Sequence, residues 1–169
     1  MPSAAPPPNE EDAAGSSIPA ITVVATAWEH ADSELLRAAQ RVEIAERYGT
    51  PDSEPGPAPT GADITIFFVA YSAAGVPLGC GGLRTLDARS GEIKRMYVAP
   101  EARGTGVSVA VIRTLENTAR GYGWSDLLLE TGTAQPDALR FYQREGYSRV
   151  ANFGYYAGLA GSLCFGKRL

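Results

Sequence analysis

Glu92-Ile93-Lys94-Arg95-Met96-Tyr97-Val98-Ala99-Pro100-Glu101-Ala102-Arg103-Gly104-Thr105-Gly106-Val107-Ser108 decides how the rest of this chain is read. Its first part carries Ile, Met, Tyr and Val at the density of a strand. Pro100 stops the ladder because it has no N–H to donate, and Arg103 to Ser108 turn into a helical pattern that begins at Val107. Two glycines one residue apart, just before a helix, let the main chain come close to a ligand and aim several N–H groups one way. The first N–H groups of the helix lack intrahelical partners and its dipole places roughly half a positive charge there, so a phosphate or pyrophosphate is the natural occupant. Arg103 can add a planar, permanently charged fork beside it. A tight turn that binds nothing gives the same short pattern. Two other nucleotide-binding loops are excluded: Gly106-Val107-Ser108 lacks the lysine of a P-loop, and the spacing of small and acidic residues in a dinucleotide fingerprint is not met.

A second block is Leu127-Leu128-Leu129-Glu130-Thr131-Gly132-Thr133-Ala134-Gln135-Pro136-Asp137-Ala138-Leu139-Arg140-Phe141-Tyr142-Gln143-Arg144-Glu145-Gly146-Tyr147. With it, the chain resembles the GNAT superfamily of N-acetyltransferases. Arg103 to Ser108 is similar to the family's Gln/Arg-x-x-Gly-x-Gly/Ala acetyl-CoA loop, with Ser108 where Gly or Ala is usual. The second block is similar to the fifth strand, loop and short helix, where Phe-Tyr followed shortly by Gly-Tyr or Gly-Phe recurs. Gln135 stands where asparagine is common. The resemblance runs from about Ile21 to the C-terminus. It implies an α/β (α+β) fold, a GNAT-like central mixed and largely antiparallel sheet with helices on both faces, and acetyl-CoA as cosubstrate with no metal.

The same resemblance assigns residues. Met96, Tyr97 and Val98 would run along the pantetheine arm, with main-chain groups of Met96 and Val98 binding it as an extra strand. Arg103, Gly104, Thr105, Gly106, Val107 and Ser108 would hold the pyrophosphate, and Gln135 would add a contact. Tyr142 follows the family's tyrosine that protonates the departing thiolate, or is a core tyrosine on a short helix. Glu92 resembles the general base of the histone-acetylating branch, or is a surface carboxylate at a strand start. A base matters because free alkyl amines have pKa values near about 10 and must be neutral to attack.

The chain of 169 residues, with 44% hydrophobic content, suits one domain with a real core, and no run is long or apolar enough to cross a membrane. A net charge of −4 argues against a nucleic-acid partner. Cys80 and Cys164 lie in expected strands without metal-ligand spacing, which reads as buried thiols in a reduced cytoplasmic protein. His30, the single histidine, precedes an expected helix, where a surface or capping role fits better than chemistry.

Residues 1–19 are rich in Pro, Ala and Ser and read as a disordered tail without a secretion signal, followed by a single domain over 20–169. The order expected from there is β-α-β-β-β-α-β-α-β-β. Ile21 to Ala27 is a strand, and Asp32 or Ser33 caps a helix to about Tyr48 with Leu35, Ala39 and Val42 as its buried stripe. Glu43 and Arg47 form an exposed pair; by the resemblance this region lies over the acceptor site, so Glu43, Glu46 or Tyr48 either touches substrate or, the better reading, belongs to a solvated face. Pro51 to Asp63 is a loop. Ile64 to Tyr71, apolar on both faces, is a central strand in a hairpin with Val76 to Leu86, whose Gly79, Gly81 and Gly82 suit a bulge or a closely passing ligand. Tyr147 to Val150 and Leu163 to Leu169 make a last hairpin, and Phe153, Tyr155 and Tyr156 between them line an acceptor pocket or simply pack their loop.

The function expected is transfer of acetyl from acetyl-CoA directly to a primary amine of a small molecule, with a homodimer compatible with such a domain. The mildly acidic surface favours a cationic amine slightly. The alternatives are a protein N-terminal or lysine acetyltransferase, and a non-catalytic acyl-CoA-binding regulatory module.

Overall fold

The computed structural model describes residues 20–50 and 55–169, so the expected tail and the first part of the Pro51–Asp63 loop lie outside the described residues. The elements are β1 (Thr22–Ala25), α1 (Ala31–Tyr48), β2 (Ile66–Tyr71), β3 (Pro77–Thr85), β4 (Ser90–Val98), α2 (Val107–Gly121), β5 (Asp126–Gly132), α3 (Pro136–Arg144), β6 (Ser148–Arg149) and β7 (Ser162–Arg168). This is the order read from the sequence. They build one sheet, β1-β2-β3-β4-β5-β7-β6, in which only β4 and β5 run parallel, joined by α2. Among the described residues no helix is long and apolar enough to cross a membrane.

Strand alternation divides the core in two. Phe68 and Ala70 of β2 face the side covered by α2, whereas Phe67 and Val69 pack with Cys80 and Leu36 on the side covered by α1. Phe67 to Ala70 are therefore all buried, as a strand covered on both faces must be. Val107, Val111, Ile112, Leu115 and Ala119 form the buried stripe of α2. The β3 glycines make room for it: a Cβ on Gly79 would stand 2.8 Å from Val107, and one on Gly81 would stand 3.0 Å from Val111 and 3.1 Å from Leu115. At Gly79 and Gly81 it is thus α2 that passes close to β3. The strand does carry an irregularity, since Tyr71 pairs with Pro77 and Ala70 with Gly79, leaving Leu78 extra.

Helix α1 departs from its expected register. His30, not Asp32 or Ser33, is the N-cap, with Nδ1 accepting the Asp32 N–H at 3.2 Å, and Ser33 is instead buried with its hydroxyl donating to the Ala27 carbonyl. Leu35 and Val42 are 59% and 60% exposed, while Leu36 is buried. The inner face of α1 is largely polar because it overlies a cleft as well as the sheet: Gln40 reaches the Met96 carbonyl, and Arg37 stacks 3.6 Å from the Trp28 ring centroid. Gly49, left-handed at φ 72°, ends the helix as expected.

Candidate active site

β5 keeps its parallel pairing with β4 from Ser90↔Asp126 to Ile93↔Leu129 and no further. Beyond that point β5 continues along β7 through Glu130↔Cys164 and Gly132↔Ser162. β4 instead follows β3 through a bulge: Lys94 pairs with Gly82 and Tyr97 with Cys80, so Arg95 and Met96 oppose Gly81 alone. Arg95 sits at φ 56°, the one non-glycine residue with positive φ among the described residues. The inserted residue turns β4 away from β5, and the two strands part around a cleft of about 1010 Å³. Ile93 to Met96 form one wall, Glu130 to Gly132 the other, and Gln135, Ala138 and Tyr142 come from α3. Residues of α1, Trp28, the segment Leu159 to Ser162, and Pro55, Gly56, Ala58 and Pro59 from the loop before β2 also line it. The Tyr48 hydroxyl, which accepts the Ala134 N–H at 3.2 Å, lies against Gly132 and closes part of the rim.

The open edge of β4 belongs to Met96 and Val98. Ala99 donates to Leu78 of β3, so the alternation of an antiparallel ladder turns Met96 and Val98 the other way. Their carbonyls accept from Gln40 (3.0 Å) and Arg103 (3.1 Å), which leaves N–H groups along the edge where an extended ligand would pair. Tyr97 does not share this position. Its side chain packs in the α1-side core and its main chain faces β3.

Gly104 and Gly106, at φ 77° and 93°, carry the turn into α2. A Cβ on either would meet nothing within 4 Å, the N-cap Gly106 has no side-chain cap, and the first turn of α2 holds no acid. The N–H groups there are open to an anion, which is the fit that a pyrophosphate requires. Thr105 braces the turn by donating to the Ala102 carbonyl at 2.6 Å, Val107 anchors it in the core, and Ser108 lies in the first turn. Arg103 does not stand beside the cradle as expected. It turns back along β4, donating to the Val98 carbonyl and to Glu43 at 2.5 Å, and Glu43 also holds Arg47 at 2.7 Å.

Tyr142 lines the cleft at 8% exposure, and no hydrogen bond joins its hydroxyl to another described residue. Burial first, and then the charge of Glu130, push its pKa far above the ordinary tyrosine value. The hydroxyl therefore keeps its proton at any working pH. Its ring is fixed against Phe141 and Tyr147, with centroids 5.4 Å and 5.9 Å away. Tyr147 in turn donates to Glu116, a buried carboxylate that also receives Lys167 (2.7 Å) and Arg113 (3.0 Å), so a polar knot on α2 and β7 holds the end of α3.

Glu92 is where geometry departs most from expectation. It is not at the surface and does not line the cleft: its side chain is fully buried. Arg84, directly across the ladder, donates to Oε2 through Nε (3.1 Å) and a second nitrogen, Tyr156 donates to Oε1 (2.6 Å), and Lys94 Nζ stands 3.6 Å away. A carboxylate so enclosed does not touch an acceptor amine. Lys94, which donates to the Tyr156 hydroxyl at 2.9 Å and lines the cleft, connects this cluster to the site. Phe153 and Tyr156 stack edge-on at 5.3 Å and Tyr155 is exposed, so these aromatics pack their loop and leave the cleft to Leu159 to Ser162.

Several lining residues carry no role in the sequence reading: Arg37 and Arg41 of α1, Lys94 and Arg95 of β4, and Glu130 of β5. The signal for the last three is charge inside otherwise apolar strands. The two α1 arginines look like any solvated helix face until the register of α1 is known. Among the described residues, no three or more His, Cys, Asp or Glu side chains group as a metal site.

The sequence profile of the Acetyltransferase (GNAT) family matches residues 30–147. An IAA acetyltransferase of Azospirillum brasilense is 37% identical over 93 residues, 54% of this chain and 60% of that protein. A mouse protein named as N-acetyltransferase family 8 member 5 is 33% identical over 91 residues, 52% of this chain and 40% of its own length. The match thus spans about half the length of these curated relatives. A solved Klebsiella pneumoniae protein assigned as an acyl-CoA N-acyltransferase superposes with a TM-score of 0.75 at 28% identity, covering 88% of this chain and 97% of the other. A GNAT family acetyltransferase from Elizabethkingia anophelis, solved with acetyl-CoA bound, gives a TM-score of 0.64 at 17% identity over 88% of this chain and 98% of that one, a likeness of fold. By profile and by the arrangement of cradle and parted strands, the chain belongs to the GNAT acetyltransferase family.

Proposed function

We propose that this domain transfers the acetyl group of acetyl-CoA directly to a primary amine of a small molecule. The observation that carries the reading is the parting of β4 and β5, with an open anion cradle at Gly104 and Gly106 and, inside the cleft, the protonated Tyr142 hydroxyl, which has no hydrogen-bond partner among the described residues. Acetyl-CoA would supply an activated thioester, its pyrophosphate held by the 104–108 turn and its pantetheine arm along Met96 and Val98, with Gln135 on the opposite wall. As the N–C bond forms and the C–S bond breaks, one proton leaves the amine and one must reach sulfur. Tyr142 holds the proton for sulfur. Of the carboxylates in the cleft, Glu130 is close enough to act on Tyr142 and is the one placed to take the amine's proton; Glu92 supports the site from behind, through Tyr156 and Lys94.

An acyl-enzyme route has no accessible thiol among the described residues, because Cys80 and Cys164 are both fully buried and burial pushes the Cys80 thiol up to about 12. Two unpaired, buried thiols also suit a reducing, cytoplasmic setting. The test is thiol release from acetyl-CoA by the full chain across a panel of amines. Amine-dependent release is expected. Acetyl-CoA binding without release for any small amine or peptide would overturn the reading.

A further inference from the structure

Helix α1 carries an apolar stripe on the side away from its core contacts. Ala31, Leu35, Ala38, Val42 and Ala45 follow one another at steps of four, three, four and three residues, the spacing at which one helix packs lengthwise on another. The first four are exposed, with Leu35 at 59% and Val42 at 60%, and Ala45 is half-buried. The buried residues of α1, Ser33 and Leu36, lie on the opposite face. Exposed apolar residues scattered singly need no account. The other large ones lie apart, on β1, at turns and helix ends and in the β6–β7 connection, and among the described residues only α1 sets two of them on one helix face. Beside the stripe stand two exposed charges of opposite sign, Glu34 and Arg41, each directly preceding an apolar position and so both along the same edge. Neither forms an ion pair or a side-chain hydrogen bond with another described residue.

A second copy of α1 laid antiparallel on this face satisfies the stripe and the charges together. With Leu35 set on the other copy's Ala38 and Ala31 on its Val42, each large side chain meets a small one. The same register brings Glu34 against the other copy's Arg41, and a two-fold interface repeats that contact in reverse. The next apolar register, Leu35 on Ala45 and Val42 on Ala38, would instead bring the two Arg41 side chains together. Antiparallel alignment also opposes the two helix dipoles and turns the acidic first turn, Asp32 and Glu34, toward the basic end of the other helix.

We propose that this chain associates with a second copy of itself through α1, as an antiparallel two-fold dimer in the register Leu35 on Ala38. Residues 1–19 match the stripe less well, because Ile18 is their one large apolar side chain besides Met1. A single helix pair forms a small interface, below about 1,200 Å² of total buried surface, so the dimer is weak and forms as concentration rises. Glu34, Ala38 and Arg41 also line the cleft, which puts the partner helix at its mouth. The dimer does not depend on the reaction assigned above.

Sedimentation velocity of the full chain at low salt, from micromolar to millimolar concentration, is the test. The weight-average mass should climb from one copy toward two. Leu35→Glu and Val42→Glu change exposed positions, so circular dichroism and melting temperature should hold while the dissociation constant rises about tenfold or more. Glu34→Arg should weaken the dimer by setting arginine against arginine, and adding Arg41→Glu to it should restore association with the charges exchanged. A chain that stays monomeric at every concentration overturns the proposal, as does a dimer that Leu35→Glu and Glu34→Arg both leave unmoved. Association that Glu34→Arg weakens and the double exchange fails to restore overturns the register, and the proposal as stated with it. A monomer whose melting temperature falls in Leu35→Glu also overturns it, and would assign the stripe to a cover within the chain such as residues 1–19.

Discussion

Replacing Tyr142 by phenylalanine removes one hydroxyl and keeps the ring that packs on Phe141 and Tyr147. No hydrogen bond to another described residue is lost, so stability should change by less than about 1 kcal/mol, below the usual cost of breaking a buried pairing. By the proposed mechanism the chemical step loses its proton donor, and kcat should fall about ten- to a thousandfold, which is roughly 1.4 to 4 kcal/mol in the barrier. The raised pKa sets a further condition: with the folded value far above the ordinary one, Tyr142 stays protonated through alkaline pH. It therefore gives the wild-type kcat profile no descending limb up to about pH 10, the ordinary tyrosine value. The assay is thiol release at saturating acetyl-CoA and acceptor, with single-turnover measurements to establish that chemistry limits, alongside thermal unfolding and calorimetric titration of acetyl-CoA. An undiminished kcat under those conditions would refute the donor role. A large drop in melting temperature would show that the hydroxyl holds the fold.

Gly106→Val should weaken acetyl-CoA binding by filling the space over the cradle, and at φ 93° it also adds about 1–2 kcal/mol of backbone strain; a folded variant that binds like wild type in calorimetry would contradict the cradle. Gly79→Ala should destabilise by about 1–3 kcal/mol in urea unfolding, because its Cβ would stand 2.8 Å from both Val107 and the Tyr97 carbonyl. Glu92→Gln breaks a buried ion pair and should cost about 3–5 kcal/mol of stability, whereas a base acting directly on the acceptor would lose rate with an unchanged melting temperature. At Glu116, burial works to raise the pKa but Lys167 and Arg113 outweigh it and hold the folded value below the unfolded one. The stability this lends is present above the unfolded pKa of about 4.3 and is lost as pH falls through the folded value, so unfolding midpoints should decline more gently with acid in Glu116→Gln than in wild type.

The element order was legible because strand and helix patterns here are strong and punctuated. Pro100 and Gly49 stand where elements stop, Pro55, Pro57 and Pro59 stand where no helix or strand forms, and Phe67 to Ala70 announce a strand buried on both faces. The cradle was legible for the same reason: glycines at 104 and 106 have few other uses before a helix. What escaped depends on pairing between distant residues. Glu92 looks like the start of a strand, but β4 begins at Ser90, and the register that sets Glu92 opposite Arg84 places it under the β6–β7 connection. Helix α1 was rotated in the reading because Leu35, Ala39 and Val42 make a better apolar stripe than Ser33, Leu36 and Gln40. The true inner face is polar because it borders a cleft. The bulge at Arg95 has no local signature, since nothing in Lys94-Arg95-Met96 requires a positive φ; across the ladder it faces Gly81, against which Val111 and Leu115 of α2 pack.

Initial-rate kinetics with both substrates varied test direct transfer in the cleft most plainly. With Cys80 and Cys164 buried, the proposed protonation of the leaving sulfur by Tyr142 requires amine and acetyl-CoA in the site together, and reciprocal plots of amine-dependent thiol release should intersect. Parallel lines, accompanied by a protein species that retains acetyl after acetyl-CoA is removed and passes it to the amine, would contradict that account.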